Sequence, residues 1–130
     1  MSATPPKSVI YVVDDDQGVL GSLRFLLETD GFEVRTFRSG AALLDSVAES
    51  RVDCIVIDYK MPGMNGIDLA NRLRECNVQA PVVMITGYPD ESISNRAAAA
   101  GVRHVVLKPH LEDSLVIHIR GAMQENGASA

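Results

Sequence analysis

Apolar and polar positions follow two alternating periods along this chain. Val9 to Val13 (VIYVV) is an unbroken run of apolar, mostly β-branched residues, the pattern of a buried strand. Val19, Leu20, Leu23, Leu26 and Leu27 then recur at helical spacing, and Gly31 closes the segment. FEVRTF alternates, with Phe32, Val34 and Thr36 facing one way and Glu33, Arg35 and Phe37 the other, which predicts a second strand. SGAALLDSVAES predicts a helix capped by Ser39, with Leu43, Leu44 and Val47 on one stripe. CIVID is a third strand, MPGMNG is loop chemistry, and Leu69, Leu73 and Cys76 mark a third helix. PVVMIT reads as a fourth strand and PDESISNRAAAAG as a helix with a thin apolar face, stopped by Gly101. HVVLK is a fifth strand, and Glu112 or Asp113 opens a last helix carrying Leu115, Val116 and Ile119.

Five strand–helix units in succession predict a parallel sheet covered by helices on both faces, a doubly wound α/β sandwich. Strands buried on both sides read as continuous apolar runs, as the first, third, fourth and fifth do. One domain is expected over residues 8–123, with flexible tails at 1–7 and 124–130.

The polar residues that close these runs carry the chemistry. The first strand ends in Asp14, Asp15 and Asp16, the third in Asp58, the fourth in Thr86 and the fifth in Lys108. In a parallel sheet these ends share one edge, and neighbouring strands lie roughly 4.8 Å apart. Clustered carboxylates repel unless a cation joins them. Lys108 offsets one charge, and an all-oxygen ligand set favours a hard divalent ion such as Mg²⁺ over zinc. The 130 residues carry a net charge of -5 and no Lys/Arg run, which argues against nucleic-acid binding by this domain. No apolar run reaches membrane-spanning length and no signal-peptide pattern opens the chain, so a cytoplasmic location is expected. Cys54 reads as a buried core thiol, and neither cysteine pairs with a histidine at metal-ligand spacing.

Four motifs in order, VVDDD, IDYKMPGMNG, MITGY and LKP, resemble the receiver domain of two-component response regulators, from Val9 to about Met123. The resemblance implies a flavodoxin-like five-stranded parallel sheet of order 2-1-3-4-5 with five helices. It implies that Asp58 is the phosphoacceptor. Asp14 and Asp15 would hold Mg²⁺ together with Asp58 and the backbone carbonyl of Lys60. Thr86 would hydrogen-bond the phosphoryl group, Lys108 would pair with it, and the Lys108–Pro109 bond would be cis. The implied partners are a sensor histidine kinase or a histidine phosphotransfer protein, and downstream a target protein or an output domain. The domain would catalyse only its own phosphorylation and dephosphorylation. Family members often pair through the fourth helix, fifth strand and fifth helix, a face that here includes Arg96, Arg103 and His118.

Departures from the common family pattern fall in three places. Val105 stands at the switch position where an aromatic is usual, and a β-branched side chain cannot swing a ring. His110 replaces an aromatic after LKP. Lys60 and Tyr88 flank the expected phosphoryl position and would limit the access of water. Asp16 has no chemical role in this scheme and suits a helix N-cap or a solvated charge. A haloacid-dehalogenase-type phosphatase needs a second Asp two residues after its nucleophile, where this chain has Lys60. A flavodoxin-like cofactor binder needs a phosphate loop that DDDQG does not supply. A degenerate receiver acting by phosphorylation-independent binding, and a fragment of a DNA-binding response regulator, remain the alternatives. If Lys60 and Tyr88 shield the acyl phosphate, Lys60→Ala and Tyr88→Ala each shorten the half-life of phosphorylated Asp58; unchanged decay in both variants would contradict the shielding.

Overall fold

A computed structural model describes residues 7–87, 90–108 and 111–128, without the side chains of 111–113 and 125–128. Its elements run β1 (Val9–Val13), α1 (Gln17–Thr29), β2 (Glu33–Phe37), α2 (Gly40–Val47), β3 (Cys54–Asp58), α3 (Gly66–Glu75), β4 (Val82–Thr86), α4 (Glu91–Ala99), β5 (Val102–Leu107) and α5 (Leu111–Ala128). All strand pairs are parallel and the sheet order is β2-β1-β3-β4-β5. The flavodoxin-like doubly wound architecture expected from the motifs is therefore the architecture found.

The alternation of side chains along each strand splits the interior into two cores. Ile10, Val12, Cys54, Val56, Val83, Ile85 and Val106 face α1 and α5, where they meet Leu20, Leu23, Leu27, Leu115 and Ile119. Tyr11, Val13, Ile55, Ile57 and Met84 face α2, α3 and α4, where they meet Leu43, Leu69, Leu73 and Ala97. Each fully buried aliphatic side chain contributes roughly 1.5–3 kcal/mol. The thin apolar face of α4 rests on Ile93 and Ala97, with Ala100 just beyond its end.

The caps explain why the helices start where they do. Asp16 accepts from the amides of Gly18 (2.8 Å) and Val19 (3.2 Å) and caps α1, which gives the third acid of the run its role. Ser39 caps α2. Asn65 and Asp68 form a reciprocal capping box on α3. Gly66 sits so close to β3 that a Cβ there would lie 2.9 Å from both the Asp58 carbonyl oxygen and the Tyr59 Cα. Only glycine lets α3 begin directly against the end of β3.

Three boundaries differ from the sequence reading. Cys76 is the exposed C-cap of α3, not part of its buried stripe, because the chain turns there into Asn77 at φ 61°. Helix α5 starts at Leu111 and continues past Met123 to Ala128, so residues 124–128 extend the helix. Ala122, Met123, Gln124 and Glu125 are all good helix formers, which suits that extension. Strand β5 ends at Leu107, and Lys108 is the first residue beyond it. Tyr88, Pro109 and His110 lie outside the described residues, and with them the lifetime role of Tyr88 and the cis bond before Pro109. Among the described residues no helix is long and apolar enough to cross a membrane.

Candidate functional site

Because the strands are parallel, their polar ends meet at one edge of the sheet. Asp58 on β3 is in register with Ile85 on β4, so Thr86 stands one step further along the neighbouring strand. Thr86 is in register with Leu107 on β5, so Lys108 stands one step beyond that. Asp14 directly follows β1, on the other side of β3, and its amide bonds the carbonyl of Phe37 at 3.1 Å. Asp14, Asp58 and Thr86 are the buried polar side chains among the described residues, all at 2% exposure or less.

One carboxylate oxygen each from Asp14, Asp15 and Asp58 lies within 4.8 Å of the others. Asp14 and Asp58 point inward, whereas Asp15 is exposed. Asp14 Oδ1 accepts from the Asp16 amide at 2.9 Å, and Asp14 Oδ2 is buried without a hydrogen bond. Asp58 Oδ1 is likewise buried without a hydrogen bond, although Lys108 Nζ forms an ion pair with it at 3.3 Å. The Lys60 amide also donates to Asp58. Lys60 is exposed and follows β3 by two residues, with its amide bonded to Asp58.

Burial dominates the electrostatics. It pushes the Asp14 carboxyl up to about 6; the Asp16 amide opposes the shift, and the neighbouring Asp58 charge adds to it. Burial also raises the Asp58 carboxyl, with Lys108 as the main opposing influence and Asp15 adding to the rise. Asp14 Oδ2 has no partner and Asp58 Oδ1 has only the Lys108 ion pair, so buried lone pairs on converging carboxylates are left incompletely satisfied. A small, hard divalent cation bound by oxygen ligands fits this donor set.

Val105 is half-buried and packs with the α4-side core, in register with Met84. Arg103 is exposed, and His118 is half-buried against His104. Arg96, on α4, donates to the hydroxyl of Tyr59 at 3.0 Å. Sequence reasoning placed Arg96 on an outer face and gave Tyr59 no part. This contact joins the residue next to Asp58 to α4; Tyr59 also bonds β4 through Ile85 and α3 through Gly66. A tertiary hydrogen bond between residues 37 positions apart leaves no mark in local pattern.

A sequence profile of the response regulator receiver domain matches residues 10–120. The response regulator protein TmoT of Ectopseudomonas mendocina is 36% identical over 118 residues, covering 91% of this chain and 54% of that protein. The transcriptional regulatory protein FixJ of Bradyrhizobium diazoefficiens is 34% identical over 119 residues, covering 92% of this chain and 58% of FixJ. The chain thus spans a little over half the length of these relatives. Among solved structures, a CheY-like receiver domain protein from Methanospirillum hungatei superposes with a TM-score of 0.89 at 25% identity, covering 96% of this chain and all of that one.

Burying Asp14 predicts a pH signature. Its carboxyl titrates near 3.8 unfolded and near 6 folded, so the fold favours the protonated form. The contribution to stability is full below about pH 4 and is lost as the pH rises through about 6, a cost on the order of 2 kcal/mol. In metal-free protein, Asp14→Asn should melt about 5 °C above the parent at pH 7.5 and match it near pH 4. A difference between the two that does not grow over this range would contradict the burial argument.

Proposed function

The chain belongs to the response regulator receiver domain family, and on that premise we propose that it is a phosphorylation switch whose acceptor is Asp58. The observation that carries this reading is the convergence of Asp14, Asp15, Asp58 and Lys108 on one sheet edge, with unsatisfied carboxylate oxygens at its centre. Asp14, Asp15 and Asp58 would hold Mg²⁺, which supplies charge neutralisation for phosphoryl oxygens when bound.

In the proposed reaction a carboxylate oxygen of Asp58 attacks the phosphorus of a phosphohistidine on a histidine kinase or phosphotransfer protein. The new O–P bond forms as the P–N bond breaks, and the imidazole leaves with the electron pair and takes up a proton. Lys108, already beside Asp58 Oδ1, favours the ionised form of the acceptor against the effect of burial and would offset charge on the transferring group. The buried Thr86 hydroxyl would engage the product's phosphoryl oxygens. The domain provides positioning and charge for its own phosphorylation, and hydrolysis of the acyl phosphate resets it.

Output is proposed to run through α4. Val105 offers no ring to reorient, whereas the Tyr59–Arg96 bond ties the backbone beside Asp58 to α4 directly. The α4-side face, with Arg103 exposed on β5 beside it, would then meet a target or a second copy. FixJ, a transcriptional regulatory protein by name, extends well beyond the matched stretch, which supports coupling to transcription. A cytoplasmic location follows from the proposed kinase partnership.

Intact mass after incubation with acetyl phosphate and Mg²⁺ tests the reading. One added phosphoryl group is expected, absent without Mg²⁺ and absent in Asp58→Asn. An adduct that persists in Asp58→Asn, or no adduct from either acetyl phosphate or a phosphorylated histidine kinase, would overturn it and favour a degenerate receiver.

A further inference from the structure

Strand β5 lies at the edge of the sheet, and its pairing with β4 is irregular: Val82 is in register with Val102 but Val83 with His104. Arg103 is the extra residue, a bulge that resets the alternation. His104 and Val106 consequently face α5, while Val105 faces α4. His104 meets His118, one helix away, with Nδ1···Nδ1 at 3.2 Å, ring centroids 5.0 Å apart and planes inclined at 58°. Both rings are half-buried. His104 precedes Lys108 by four residues, about 13 Å along an extended strand, so this pair is separate from the acid cluster.

The geometry distinguishes two uses of such a pair. A straight N–H···N bond at this separation would put the centroids about 5.5 Å apart, since each centroid lies about 1.2 Å behind its nitrogen. The observed separation is shorter, so the nitrogen axes tilt away from the line between them. Two imidazole nitrogens at 2.0–2.1 Å from one tetrahedral ion lie about 3.3 Å apart, with centroids about 5.2 Å apart. The pair in β5 and α5 is close to that second arrangement.

We propose that His104 and His118 form a two-nitrogen chelate for a borderline divalent transition metal ion, zinc being the representative, which clamps α5 to the edge strand. Imidazole suits zinc, nickel and copper, whereas the all-oxygen cluster suits magnesium, so the two sites differ in the ions they select. Burial and the neighbouring His104 hold His118 below its ordinary 6.5, which keeps its ring neutral, the form that binds metal, at neutral pH.

The test is thermal unfolding of the full chain at pH 7.5 with and without zinc chloride, for the parent, His118→Gln, His104→Gln and Asp14→Asn. Zinc should raise the midpoint by about 3–6 °C in the parent and in Asp14→Asn, and leave both histidine variants unmoved. Nitrogen-15 spectra of the parent's histidines should show the Nδ1 signals of both rings shifting together on zinc addition. This readout needs no variant, and the half-exposed position of His118 on a helix surface makes His118→Gln the safer substitution. A zinc shift retained in His118→Gln, a shift lost only in Asp14→Asn, or no shift with both Nδ1 signals unmoved would overturn the assignment.

Discussion

Two carboxylates, Asp14 and Asp58, are taken out of water at adjacent strand ends, with a third, Asp15, close enough to share a ligand. Ionised carboxylates in such a place are costly to desolvate and repel one another. Lys108 meets one of them, and the amides of Asp16 and Lys60 ease the rest only in part. The remainder of the structure exists around this unresolved charge. A parallel sheet with both faces covered is rigid enough to hold the carboxylates together, and the same covering removes the solvent that would otherwise screen them.

Local chemistry then sets the positions. Asp16 turns the chain into α1 immediately after the buried Asp14 and the exposed Asp15, so the acidic run divides between a site and a cap. Gly66 lets α3 start against the end of β3, and its amide bonds the Tyr59 carbonyl at 2.7 Å, which fixes the backbone just past Asp58. Tyr59 in turn reaches Arg96 on α4, a helix whose own buried face is small. These contacts join the backbone beside Asp58 to an element held by few buried apolar side chains.

The runs VIYVV, CIVID and VVMIT were legible because a strand buried on both faces has to be apolar at every position, and Ser39 was legible because capping is a local interaction. The convergence of Asp14, Asp58, Thr86 and Lys108 followed once the strands were taken as parallel. What depends on tertiary placement was not legible. The bulge at Arg103 is a property of pairing between strands, so the facing of His104 toward His118 could not be read from HVVLK. The Tyr59–Arg96 bond is equally non-local. Cys76 fitted the helical period of Leu69 and Leu73, yet the chain leaves the helix there and exposes it. The last helix outran its apolar stripe because Gln124 and Glu125 are good helix formers that an apolar pattern does not register.

If an unresolved buried charge is what the site is built to offer, cation affinity must depend on the protonation of Asp14. Calorimetric titration of Mg²⁺ at pH 5 and at pH 7.5, in two buffers of different ionisation heat, measures this directly. Affinity that falls at least several-fold at the lower pH, with net proton release on binding there, is the expected result. Equal affinity at both values with no proton release, or no Mg²⁺ binding at either, would contradict the role given to the buried carboxylates.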